Sequence, residues 1–317
     1  MTQTNQQRVL GASGLEVSAL GIGTNRWRVR QDGDHVSPVH TFQAALDAGL
    51  NFFDTAEIYN GGESERLLGE CISQDSRPVV IATKFAPLPN RISPHALMDA
   101  LDASLSRLNV ETIDLYHIHW PYTLMRVDAL MDMMALAMRL GKIRAVGVSN
   151  FSAKQMRKAA ARLARYNIPL ASNEVHYSLF HREPESNGVL EACRELNVAL
   201  IAYRPLEGGL LKAQASTGTP EPVSSRWPIL NRFLQPGVAA QEQRLALQQV
   251  LREIAQAHQK PPSHIALNWL LQRDEHIIPI PGSTNPVHIA ENSQALTWQL
   301  TEEEFTRLDQ VSQTRKS

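Results

Sequence analysis

The chain has 317 residues, 43% of them hydrophobic and 20% charged, an ordinary globular usage that excludes a disordered chain. Lys and Arg number 31 against 32 Asp and Glu, and the resulting charge of −1 excludes a basic nucleic-acid binder and an acidic tail. Two cysteines, Cys71 and Cys193, cannot build a disulfide framework, and no run of about 18 apolar residues and no signal-like leader occurs. The expectation is a cytoplasmic protein with reduced thiols and neither nucleic-acid nor membrane partners.

In chain order, residues 8–10 and 15–19 around a Gly-bounded turn at 11–14 read as a hairpin placed to plug the base of a barrel. Short apolar runs bounded by turn residues then recur eight times, at 20–23, 51–54, 79–84, 113–119, 145–149, 171–175, 199–203 and 277–280. Several are nearly continuous in Val, Ile and Ala, the pattern of strands covered on both faces. Helical stretches separate them. Leu97, Leu101, Leu105 and Leu108 form one stripe, with Ser93 as its N-cap and Pro94 its first residue; Met156, Ala160 and Leu163 form another. Residues 212–237, rich in Ser, Thr, Pro and Gly, predict a long loop or lid. Asn285 and Pro286 mark a helix start, and Thr301 with Glu304 is a capping box that opens a last helix, with Leu300 and Phe305 as its hydrophobic staple. Eight βα units without a composition break predict one domain over 1–317: a (β/α)8 TIM barrel with an N-terminal β-hairpin cap and an extra C-terminal helix. A doubly wound open sheet is the alternative. Its dinucleotide fingerprint fails, because Gly21 and Gly23 are followed at the third position by Arg26.

In such a barrel the C-terminal strand ends form the active face. The second strand run delivers Asp54 with Tyr59 close behind, the third Lys84 and the fourth His119. A free tyrosine titrates near ~10, too high for an efficient acid near neutrality. A nearby ammonium would lower that value, and a carboxylate would hold the ammonium in place, so the four together suit proton donation.

The motifs Gly49-Leu-Asn-Phe-Phe-Asp-Thr-Ala-Glu-Ile-Tyr59, Ile81-Ala-Thr-Lys-Phe85, Asp114-Leu-Tyr-His-Ile-His-Trp-Pro121, Gly147-Val-Ser-Asn-Phe151, Ala202-Tyr-Arg-Pro-Leu206 and Ile280-Pro-Gly-Ser283 resemble those of the aldo-keto reductases, in order and over essentially the whole chain. The resemblance implies an NADP-dependent oxidoreductase of the alcohol dehydrogenase type that reduces aldehyde or ketone carbonyls, acting as a monomer on a small molecule. It implies a catalytic tetrad of Asp54, Tyr59, Lys84 and His119, with Tyr59 as general acid. By the same likeness, Ser149 and Asn150 hold the nicotinamide carboxamide and Tyr203 stacks on the ring. Leu206, Gly208 and Leu211 lie in the loop passing the pyrophosphate, while Ser283, His288, Glu291 and Asn292 hold the adenosine half.

The sequence departs from the family pattern in four places. Glu174 stands where a glutamine usually meets the carboxamide, and a carboxylate accepts hydrogen bonds but donates none. Arg204 replaces a frequent serine. Gly282 and His288 stand where many members carry Lys and Arg for the 2′-phosphate, so NADP(H) is expected ahead of NAD(H) by a reduced margin. Trp27 and Trp120 are candidate substrate walls, with Trp227 in the long loop as a third; Trp269 reads as helix core, and the cysteines as buried and inert. His117 and His119 share a strand face, but no third ligand has metal spacing, so no metal site is expected and His117 reads as barrel filling. Two other functions fit parts of the pattern: a cofactor-sensing regulatory subunit with little turnover, and a Schiff-base aldolase on Lys84, which would need that lysine unpaired.

Overall fold

The computed structural model describes residues 7–29, 38–211 and 238–313 of the 317. A hairpin of β1 (Gln7–Val9) and β2 (Glu16–Ser18) comes first. Eight parallel strands follow, each hydrogen-bonded to the next in sequence. They are β3 (Ile22–Gly23), β4 (Phe52–Asp54), β5 (Val80–Phe85), β6 (Ile113–Ile118), β7 (Ile143–Ser149), β8 (Leu170–His176), β9 (Ala199–Tyr203) and β10 (Ile277–Ile280). A bridge between Gly23 and Gly282, with Gly21 N donating to the Pro279 carbonyl at 2.9 Å, joins the last strand to the first. The expected barrel forms, and the alternative of an open doubly wound sheet is excluded.

Helices α1 (Pro38–Asp47), α2 (Glu63–Ser73), α3 (His95–Leu108), α4 (Val127–Arg139), α5 (Ala153–Ala164), α6 (Glu183–Ser186) and α7 (Val189–Leu196) cover the outside. After them come α8 (Val238–Ala257), α9 (Pro262–Arg273), α10 (Pro286–Ser293) and α11 (Glu302–Ser312). The local signals hold where side chains make them. Asn285 caps α10 through Val287 N at 2.9 Å, and Thr301 and Glu304 close their reciprocal capping box; α3 instead starts one residue later than expected, at His95 with Pro94 as N-cap, and Ser93 Oγ accepts from His95 N at 3.3 Å in the turn before it. The expected loop at 212–237, Trp227 included, lies outside the described residues.

Period-two alternation sorts the strands into two cores. Phe53, Ile81, Phe85 and Tyr116 face the helices, whereas Phe52, Ala82, Leu115, Ala199 and Ile201 fill the barrel. Leu10, Leu15 and Val17 of the hairpin seal that inner core from below, so the plug is real. Gly11 makes the seal possible: with φ of 52° it brings the turn so close to the strand ends that a Cβ would lie 2.5 Å from the Asn197 carbonyl oxygen. The same alternation sets up the other end: two residues beyond the inward Phe52, Ala82, Leu115 and Ile201 come Asp54, Lys84, His117 and Tyr203.

Candidate active site

Asp54 sits above Phe52 and Lys84 above Ala82, at the top of neighbouring strands and both buried. The Lys84 ammonium donates to Asp54, whose Oδ1 and Oδ2 lie at 2.5 and 2.6 Å, and to the Thr55 carbonyl at 2.9 Å, with Glu174 Oε2 at 3.2 Å. Burial acts against that ammonium, but Asp54 and then Glu174 outweigh it, and its pKa is held above the usual lysine value. A Schiff-base role needs an unpaired, desolvated lysine, and this one is fully paired.

Tyr59 enters from the turn after β4, with Lys84 Nζ 5.2 Å from its ring centroid. Its pKa is raised rather than lowered, contrary to the expectation from four residues. Burial is the main cause; Lys84 opposes it by its charge and a hydrogen bond, while the carboxyls of Asp54 and Glu174 counter Lys84. Tyr59 is therefore a phenol that keeps its proton until something takes it. His119 meets the Tyr59 ring edge-on at 5.8 Å and lies 4.7 Å from the Trp120 ring. Burial, with Lys84 behind it, drives its pKa down to about 3, so the imidazole is neutral and keeps a single N–H.

These groups form one end of a cleft of about 710 Å³ that runs across the barrel mouth to α10. Ser149, Asn150, Glu174, Tyr203, Leu206, Gly208, Ser283 and His288 line it as expected, together with Trp120. Asn150, in a left-handed turn (φ 60°), ties the wall together: its N–H donates to the Glu174 carbonyl at 2.8 Å, its side-chain amide to the His119 carbonyl at 3.2 Å, and its Oδ1 accepts from the Tyr203 hydroxyl at 3.1 Å. Behind Tyr203 the His176 ring stacks at 5.4 Å, itself hydrogen-bonded to Glu207 at 2.8 Å, so one face of the phenol is backed and Tyr203 still borders the cleft. Asn25, Arg26 and Thr284 also line it and were missed. Asn25 and Arg26 follow the first barrel strand, and the strand-end rule applied to that strand would have found them.

Several expectations need correction. Trp27 is no substrate wall: it is buried in the outer core, and its Nε1 donates to the Ser283 carbonyl at 3.1 Å, pinning the turn before α10. Leu211 is buried in the core rather than in the cleft wall. Glu291 is exposed and Asn292 buried, both further along α10 than the cleft lining; the Asn292 Nδ2 has no hydrogen-bond partner. Cys71 and Cys193 are buried, and burial pushes both thiols up to about 12, so they are inert. His117 fills the barrel beneath His119, its Nε2 2.9 Å from Ser172 Oγ, in space that Gly147 leaves open: a Cβ there would lie 2.3 Å from the imidazole. Asp54, His117 and Glu174 do converge within 4.8 Å, but Lys84 is the cation that occupies their centre. A larger hollow of about 920 Å³ lies at the hairpin end, near Arg8 and His276. Asp54, Tyr59, Lys84 and His119 are at the opposite end of the barrel, where barrel enzymes carry their chemistry.

A family model described as the aldo/keto reductase family matches residues 19–313. Among similar proteins is a chloroplastic pyridoxal reductase of Arabidopsis thaliana, 33% identical over 313 residues, spanning 93% of this chain and 83% of the relative. Another is the aldo-keto reductase yakc [NADP(+)] of Schizosaccharomyces pombe, 31% identical over 270 residues, 81% of this chain and 77% of the relative. The solved glycerol dehydrogenase of Gluconobacter oxydans superposes with a TM-score of 0.82 at 28% identity, covering 98% of this chain and 95% of that one.

Proposed function

Given that the chain belongs to the aldo/keto reductase family and is an oxidoreductase of carbonyl compounds, we propose that it reduces aldehydes or ketones with NADP(H) ahead of NAD(H), Tyr59 serving as general acid. The observation that carries this reading is the junction of two features in one cleft: the Asp54–Lys84 pair beside Tyr59 and His119, and a trough from there to the capped N-terminus of α10.

The residues present fit a nicotinamide nucleotide. Tyr203 borders the cleft with its other face backed, Ser149 and Asn150 sit beside it, and α10 brings the positive end of its dipole to the trough, which suits an anion. When bound, the reduced nicotinamide supplies the hydride. Tyr59 holds the proton that the carbonyl oxygen needs, and the neutral His119 can donate its N–H to the same oxygen and orient it. Lys84, immobilised by Asp54, stabilises the phenolate left behind. Trp120 lines this end of the cleft, exposed Tyr122 and Leu124 follow it in the loop after β6, and exposed Ile58 precedes Tyr59 in sequence, a set that favours apolar or aromatic carbonyl compounds.

Steady-state assay of an aldehyde and ketone panel with both nucleotides tests the proposal. Multiple turnover with NADPH, faster for apolar carbonyls, is the expected result; one oxidation of bound cofactor without turnover would assign the barrel to sensing instead. His288 borders the cleft in the first turn of α10. His288→Gln should reduce the ratio of NADPH to NADH affinity by about 3–10-fold, the size of one ordinary hydrogen bond. An unchanged ratio would remove His288 from recognition of the 2′-phosphate. We further propose a single-domain monomer working in the cytoplasm, which sedimentation and fractionation check. Among the described residues no helix is long and apolar enough to cross a membrane.

A further inference from the structure

Glu174 stands two residues from the end of its strand, its side chain buried between the catalytic pair and the cofactor cleft. Its Oε2 is 3.2 Å from Lys84 Nζ yet makes no hydrogen bond. Asp54 and the Thr55 carbonyl hold the ammonium at 2.5–2.9 Å, and the Glu174 oxygen is left with the longest approach to it. The Ser149 hydroxyl and the Asn150 N–H are committed to the Glu174 backbone carbonyl, not to its carboxyl. The groups that face Glu174 are Asp54 from β4, Tyr59 from the turn after it, Lys84 from β5, His117 and His119 from β6 and Tyr203 from β9. Burial holds both histidines neutral and the phenols protonated. With both carboxyls ionised, this buried site would carry two negative charges against one positive. A single proton removes the imbalance.

We propose that Asp54 and Glu174 share Lys84 as a three-group unit holding one proton, which resides on Glu174, and that this neutral carboxyl orients the nicotinamide carboxamide by donating its O–H and accepting at its carbonyl oxygen. A protonated glutamate is thereby the donor–acceptor equivalent of the glutamine usual in the family. Burial pushes the Glu174 carboxyl up to about 8, with Asp54 adding to the rise and Lys84 opposing it, so the proton is present at neutrality and leaves in mild alkali. Once ionised, Glu174 can only accept, and it sets a negative charge beside the ring site. That loses the reduced cofactor, whose nicotinamide is uncharged. The oxidised cofactor carries a positive ring that offsets the loss. The protein would thus turn from holding NADPH toward holding NADP+ as pH rises.

This inference rests on the nicotinamide reading above, and two measurements keep the two apart. In the cofactor-free protein, the infrared difference between wild type and Glu174→Gln should show a protonated-carboxyl C=O stretch at about pH 7 that fades as the pH passes about 8. In binding titrations, the wild-type Kd for NADPH should rise about tenfold per pH unit above that point, the Kd for NADP+ should rise far less, and Glu174→Gln should hold NADPH with no alkaline break. Asp54→Asn removes the like charge and frees Lys84 for Glu174, so its break should move to lower pH. A wild-type NADPH affinity that is flat from about pH 7 to 9.5, or no carboxyl band, would overturn the assignment of the proton while leaving the cofactor reading intact. Absence of NADPH binding at every pH would overturn both.

Discussion

At the scale of single residues, charge commitments decide what each group can do. Tyr59 differs from an exposed tyrosine in being surrounded by two carboxyls and one ammonium in a buried pocket, and the ammonium is fixed there by hydrogen bonds rather than by charge alone. Removing the phenolic hydroxyl takes away the proton. Tyr59→Phe should therefore lose about 10²–10⁴ in kcat with little change in NADPH affinity. Lys84→Met should also abolish turnover, but through a different route, since it leaves the phenol in place without the charge that stabilises its anion. The two are separated by Tyr59→Phe with Lys84→Met: a double variant no worse than the poorer single one shows that lysine acts through the tyrosine, and losses that multiply would show separate roles. Turnover near wild type in Tyr59→Phe would remove Tyr59 from the chemistry.

At the scale of elements, the hairpin and the barrel depend on one contact of backbone with backbone. Gly11 and Gly14 end the same turn, and both have positive φ, 52° and 74°. Their surroundings differ: a Cβ on Gly11 would strike the Asn197 and Ala171 carbonyl oxygens at 2.5 and 2.7 Å, while one on Gly14 meets nothing within 4 Å. Gly14→Ala should cost about 1 kcal/mol, the left-handed strain alone. Gly11→Ala should cost about 2–4 kcal/mol, because the clash either lifts the plug of Leu10, Leu15 and Val17 from the inner core or distorts β8 and β9. Urea denaturation of the two variants measures the difference. Equal losses would mean that the hairpin does not seat tightly on the barrel.

For the whole molecule, two sets of carboxyls set opposing limbs of stability against pH. Burial works against the charge of Glu185, but hydrogen bonds from Arg182 and Tyr177 outweigh it and hold its pKa below the usual value. Asp274 is depressed in the same way by His276 and Arg194. Glu185 belongs to a network in which Arg182 reaches Asp309 at 2.6 Å and Arg273 reaches Glu185 at 2.5 Å, fastening the C-terminal helix α11 to α6 and α9. Depressed carboxyls contribute stability that is present above their unfolded values near ~4 and is lost as pH falls through their folded values. Glu174 has the opposite sign. Its folded pKa of about 8 lies above the ordinary 4.5, so the native state binds the extra proton. Stability falls as pH rises from about 4.5 to about 8, and levels off beyond. Chemical denaturation across this range should therefore show a steeper alkaline decline in wild type than in Glu174→Gln, and the same acid limb in both. Parallel curves on the alkaline side would mean that Glu174 is ionised in the native protein at all these pH values.

The strand runs, the cap residues of α10 and α11 and the grouping of Asp54, Tyr59, Lys84 and His119 at one rim were legible in the sequence because each is a local matter. Alternation with period two, a side chain bonding its own helix start, and a polar residue just past an apolar strand are short-range facts. The motifs carried the family for the same reason. What only the tertiary structure decided is where charges and apolar bodies from distant segments meet. Trp27 and Trp120 look alike in sequence as aromatic residues after strands, but one packs on Phe53 in the core and the other borders the cleft. The Tyr59 pKa could not be judged from Lys84 alone, since the second carboxyl arrives from a strand about 90 residues further along the chain from that lysine. Nor could Glu174 be recognised as a neutral donor, for its protonation depends on a second buried carboxyl, Asp54, sharing the same ammonium from a distant strand. Burial and hydrogen-bond satisfaction are sums over all neighbours in space, and those sums exist only once the barrel has closed.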